Sequence, residues 1–108
     1  MPELDAEDQK LVTLARSARA RTQAAEGAAL RDTDGRTYAA STVDQPSFKL
    51  TALQAAVAAA VSSGAEGIEA AVVVSGDAIL NGASLQAVRD IAEDAPVHLA
   101  DPSGKVLS

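Results

Sequence analysis

The chain has 108 residues, no cysteine and a formal charge of −6. That length makes one domain able to bury about two-thirds of its unfolded surface, so its core needs no staple. The missing cysteines exclude disulfides, thiolate nucleophiles and thiolate-held metals. The acidic balance argues against general affinity for nucleic acid, and Tyr38 and Phe48, the only aromatics, make no platform for stacking bases. No apolar run reaches the ~20 residues needed to span a bilayer, and the polar opening MPELDAEDQK is unlike a signal peptide. A soluble cytoplasmic protein without membrane contact is the expectation.

In chain order, Asp5 to about Thr22 reads as a helix. Asp5 is a good N-cap, Glu7 and Asp8 complement the dipole at the start, and Arg16, Arg19 and Arg21 complement it near the end. Leu11, Leu14, Ala15 and Ala18 make its apolar stripe. Glu26 to Ser41 reads as a β-hairpin around Asp34-Gly35, where glycine supplies the positive φ the turn needs. Asp32 and Asp34 lack the following glutamate of a calcium loop. Five of the nine basic residues (Arg16, Arg19, Arg21, Arg31, Arg36) fall in one 21-residue window. An anion-binding patch is one reading; a solvated helix end and hairpin edge is the preferred one.

Thr42 to Lys49 reads as a connection through Pro46. Leu50 to Gly64, LTALQAAVAAAVSSG, is the central helix, with Leu50, Leu53, Val57 and Val61 in one stripe. Ser47 and Thr51 are candidate caps, and Thr51 with Gln54 would make a capping box. A helix this apolar is expected to be covered on most sides. Ile68 to Ser75, centred on Val72-Val73-Val74, reads as a strand buried on both faces. Gly76 to Gly82 is a loop, Ser84 to about Asp94 a third helix, Pro96 to Ala100 a short strand, and Lys105 to Leu107 a last one. The order α-β-β-α-β-α-β-β implies an α/β fold, a mixed sheet sandwiched by helices.

These residues resemble the small cytidine deaminase family along most of the chain. Gly27-Ala28-Ala29-Leu30 matches that family's GAAL, and Asp34-Gly35-Arg36 its hairpin turn. Ser41 to Phe48 stands where the family has roughly CNVENASY, and Leu80 to Gln86 where it has PCGACRQ. The resemblance implies a cytidine deaminase-like domain over residues 1–108, assembled as dimers or tetramers. The family's zinc is held by cysteine, or histidine and cysteine, beside a glutamate that moves protons.

In the gapless register those positions are Leu53, Ala55, Asn81 and Ser84. A register slipped by two puts Thr51 and Leu53 first, and neither set suits zinc. The ~10–16 kcal/mol that a thiolate-rich zinc site supplies has no source here. The sugar-recognising positions fall on Thr42 and Asp44, which make a possible remnant nucleoside site, and a phenylalanine position falls on Ala24. His98, the only histidine, reads as structural, and the hydroxyls of Ser47, Thr51 and Ser84 read as caps rather than nucleophiles.

The leading expectation is a catalytically inactive deaminase-like protein without metal or cofactor, acting as a homo-oligomeric interaction protein. The alternative is a nucleoside or small-molecule binding module. An active cytidine deaminase and a roadblock-like dimerisation module rank below both.

Overall fold

The computed structural model describes residues 4–108; the first three residues of the opening segment lie outside the described residues. In chain order the elements are α1 (Ala6–Thr22), β1 (Glu26–Asp32), β2 (Thr37–Ser41), β3 (Val43–Gln45), β4 (Phe48–Leu50), α2 (Ala52–Ser62), β5 (Ile68–Ser75), α3 (Gly82–Arg89) and β6 (Val97–Ala100). The main sheet has the order β2-β1-β5-β6. β1 runs antiparallel to both β2 and β5, while β6 is parallel to β5, so the sheet is mixed as the pattern implied. Parallel neighbours need a long crossover, and α3 lies in that connection.

Strand alternation decides the two cores. On β1 and β5, Ala28, Leu30, Ala71 and Val73 point to the layer containing α2 and Val88 of α3. Ala29, Ala70, Val72 and Val74 point instead to Leu11, Val12 and Ala15 of α1. A period of two on a strand covered from both sides explains why the Val72-Val73-Val74 run is continuously apolar. On α1, Val12 is buried and Leu14 only half-buried, a small rotation of the expected stripe.

Four details depart from the sequence reading. The Thr42–Lys49 connection contains a small hairpin, β3 paired with β4 in the register Asp44↔Lys49, turning through Pro46-Ser47. The central helix starts at Ala52, because Thr51 is its cap: Thr51 Oγ1 accepts from Gln54 N–H at 3.1 Å and Gln54 Oε1 accepts from Thr51 N–H at 2.9 Å. α3 begins at Gly82 behind Asn81 as cap and stops at Arg89, whose guanidinium donates to the carbonyls of Ala92 and Ala95. The last strand is a single bridge, Val106 opposite Ala100.

The end of α2 follows the glycine logic. Gly64 at φ +94° donates to Val61 O, and Ala65 N–H donates to Ala60 O, closing a Schellman turn. The expectation that α2 is covered on most sides is not met. Ala52, Leu53, Ala56, Val57 and Ala60 are buried, but Ala58, Ala59 and Ser62 are exposed and Val61 is 50% exposed. One side of this helix has no partner among the described residues.

Candidate functional site

The starts of α2 and α3 converge. Ser84 is fully buried, and its Oγ–H donates to Thr51 Oγ1 at 2.7 Å. One hydroxyl pair thus joins two residues 33 apart, the first caps α2, and both helices are tied at their N-termini. Asn81, exposed, caps α3 by accepting from Ala83 N–H at 2.7 Å. Leu53 is 0% exposed and belongs to the α2-side core, whereas Ala55 is half-buried.

Beside this junction lies an open cleft of about 370 Å³, bordered by Glu26, Thr42, Asp44, Lys49, Thr51, Asp77 and Asn81. It brings together Thr42, Asp44, Thr51 and Asn81, four residues singled out from the sequence, and it leaves out Leu53, Ala55 and Ser84. Thr42 is already used structurally: its hydroxyl accepts from Glu26 N–H at 3.1 Å, and its N–H donates to Glu26 O. Asp44 projects from the β3–β4 hairpin, exposed, with Lys49 Nζ 3.5 Å away.

Glu26 was not singled out from the sequence. Burial pushes its pKa above the ordinary value; the Ala52 N–H at the start of α2 pulls it down, and the charge of Asp77 adds to the rise. The available signal was a carboxylate opening a strand whose next four residues, Gly27 to Leu30, are apolar.

The remaining candidates separate. His98 lies with Nε2 3.8 Å from Asp8 Oδ2 of α1, and Val72, its partner in register, packs on the α1 side. Ser84 and Leu53 sit in or against the opposite core, so the histidine and the hydroxyl pair do not form a nucleophile–base couple. Asp8 is held chiefly by Arg31, whose guanidinium also meets Glu69 at 2.7 Å. Asp32 accepts from the N–H groups of Asp34 and Arg36 and from Tyr38 O–H, so this hairpin loop satisfies its own carboxylate.

A deaminase-like fold implies zinc between the two helix starts. The side chains standing there are a buried leucine, two mutually bonded hydroxyls and an amide engaged as a cap. Leucine has no lone pair to donate, and neutral oxygens replace thiolate or imidazole poorly, so this donor set does not fit the ion. Among the described residues, no three His, Cys, Asp or Glu side chains gather as potential ligands. Among them, too, no helix is long and apolar enough to cross a membrane.

Comparison with known proteins agrees with this architecture. The family model described as cytidine deaminase-like matches residues 4–104. The chain belongs to the cytidine deaminase-like family. Among solved structures it is similar to cytidine deaminase from Burkholderia pseudomallei, at 23% identity over 91% of this chain and 87% of that one, with a TM-score of 0.78. It is similar also to the Mycobacterium leprae cytidine deaminase, at 21% identity over 95% and 93% of the two chains and a TM-score of 0.72. For the Mycobacterium tuberculosis enzyme the values are 23%, 96%, 89% and 0.72. Identities this low establish the fold alone. No curated protein sequence matches significantly.

Proposed function

We propose that this protein is a catalytically inactive member of its family: a cytoplasmic, homo-oligomeric interaction protein built on the deaminase scaffold. The Thr51–Ser84 hydrogen bond carries the reading. Where a metal-dependent hydrolase would hold ligands between two helix starts, this chain joins the helices directly, and Leu53 packs into the core beneath. A water poised for attack on a pyrimidine ring needs a metal to lower its pKa, and these residues supply no such centre. Assembly is supported by the free side of α2, where Ala58, Ala59 and Val61 face solvent in a helix otherwise built for packing. Small residues there let a second backbone approach closely.

Elemental analysis of the purified protein should give substoichiometric zinc, and a cytidine deamination assay should give no turnover. Equilibrium sedimentation at micromolar concentration should show dimers or tetramers. Stoichiometric zinc with turnover would overturn the inactive reading; a monomer alone would overturn the oligomeric one.

A second reading is favoured by the cleft itself, which side chains leave open and polar around Glu26, Thr42 and Asp44. It would hold a nucleoside or a related small molecule. A panel of nucleosides and bases should then contain a compound that raises the melting temperature, and Asp44→Ala should weaken that effect. A flat panel rejects this reading.

A further inference from the structure

We propose that the opposite side of the sheet carries a site for a phosphate-bearing anion, formed by Arg16, Arg19 and Ser17 of α1. A cleft of about 290 Å³ lies between these residues, Thr13, Val74 near the end of β5, and Pro102 beyond the end of β6. β5 and β6 are parallel, so both strands deliver their C-terminal ends to this place, where open α/β sheets commonly receive ligands.

The two guanidinium groups are oriented before any ligand arrives. Arg16 Nε–H donates to Pro102 O at 3.1 Å, and Arg19 Nε–H donates to Ala25 O at 3.3 Å. Each bond uses one edge of the group and leaves the terminal amino groups without a protein acceptor among the described residues. Arg16 lies over the turn holding Gly104, where an added Cβ would come within 3.2 Å of its guanidinium; Arg19 Nη2 lies over Gly76. The missing side chain at Gly104 leaves Arg16 its room, whereas the approach at Gly76 is an ordinary contact distance.

No carboxylate comes within ion-pair distance of either arginine among the described residues. The carboxylate nearest in the chain to Pro102, Asp101, is turned into its own loop by Ser103 and Lys105 N–H groups. Two guanidinium groups without a carboxylate partner therefore share one cleft on a chain of charge −6. Their free terminal N–H groups outnumber what a single carboxylate can accept, and a phosphate dianion offers more charged oxygens to such forked donors. The Ser17 hydroxyl, with no hydrogen-bond partner among the described residues, adds a further donor, whereas Thr13 spends its proton on Gln9 O. The proposal is independent of the α2–α3 cleft and of the oligomeric reading.

The test is a titration of the ¹⁵N-labelled protein with inorganic phosphate, a nucleoside monophosphate and the matching nucleoside, at ionic strength held constant with sodium chloride. Phosphate should shift the amide signals of Ala20, Val74, Gly76 and Gly104 and the side-chain Nε–H signals of Arg16 and Arg19. Equal affinity for free and esterified phosphate identifies the phosphate alone as the ligand; tighter binding of the ester assigns further contacts to its nucleoside. Arg16→Gln and Arg19→Gln should each weaken binding about tenfold, the loss of one charged hydrogen-bonded partner. Ser17→Asp, which puts a negative charge into the cleft beside both arginines, should abolish binding. Signals unmoved by phosphate, shifts reproduced by the nucleoside or by chloride, or undiminished binding in Ser17→Asp would overturn the proposal.

Discussion

At Gly27 a single hydrogen atom decides how closely α1 lies on the sheet. A Cβ at this position would stand 2.0 Å from Ala15 O and 2.8 Å from Arg19 backbone N, and backbone cannot swing aside as a side chain can. Gly27→Ala should therefore cost about 3 kcal/mol, the upper range for overpacking, measured as a shift in urea midpoint at unchanged slope. A neutral outcome would mean α1 rides further from β1 than described. The GAAL stretch made Gly27 visible in the sequence, but not the reason for it, since the atoms it makes room for lie on the preceding helix. Asp32 is a second such residue. Burial pushes its pKa up, but the Arg36 N–H, Tyr38 O–H, Asp34 N–H and the Arg36 charge outweigh that, leaving it below the ordinary 3.8. A depressed carboxylate contributes stability above the unfolded value and loses it as pH falls through the folded one. Asp32→Asn should thus melt below the wild type at neutral pH, and the gap should close as pH drops beneath 3.8. A gap that widens in acid would contradict the assignment.

Among elements, the junction of α2 and α3 shows what sequence reading can and cannot reach. The Thr51–Gln54 capping box is local, three residues apart, and its pattern is legible in the residue types alone. Ser84 is 33 residues from Thr51, and nothing local tells that its hydroxyl turns to that cap instead of to solvent. The β3–β4 hairpin leaves no such mark, because three-residue strands show no measurable alternation and Pro46 reads as a breaker. The bond between helix starts is measurable by a double-mutant cycle. Thr51→Ala should cost about 2 kcal/mol, the cap plus the stranded Ser84 hydroxyl, and Ser84→Ala about 1 kcal/mol. The double variant should fall short of the sum by about 1 kcal/mol, read from urea denaturation. Strict additivity would show that the two hydroxyls stabilise the helices separately.

For the whole molecule, the mixed sheet and its two covering layers were legible because strand alternation, Val72-Val73-Val74 and the helix stripes all point the same way. The free side of α2 was not, since an alanine-rich helix gives no periodic contrast between a face covered by its own chain and one left open. A stable dimer interface takes about 800 Å² from each partner. Against a total surface of 5765 Å² that is about one-seventh of the molecule, more than the outward strip of α2 alone can supply. β4 packs beside α2 and adds Phe48, 56% exposed, so helix and hairpin together offer apolar area on adjacent elements. In a two-fold assembly each substitution enters the interface twice. Val61→Glu should then raise the dimer dissociation constant by about a hundredfold, roughly one charged, desolvated group on each side. Because Val61 is half exposed in the single chain, the same substitution should move the melting temperature little when the protein is dilute enough to be monomeric. Sedimentation of the variant beside the wild type separates the two effects. Loss of association with an unchanged monomer melt assigns the interface to α2, whereas unchanged association moves it to another face and leaves the helix's open side without this role.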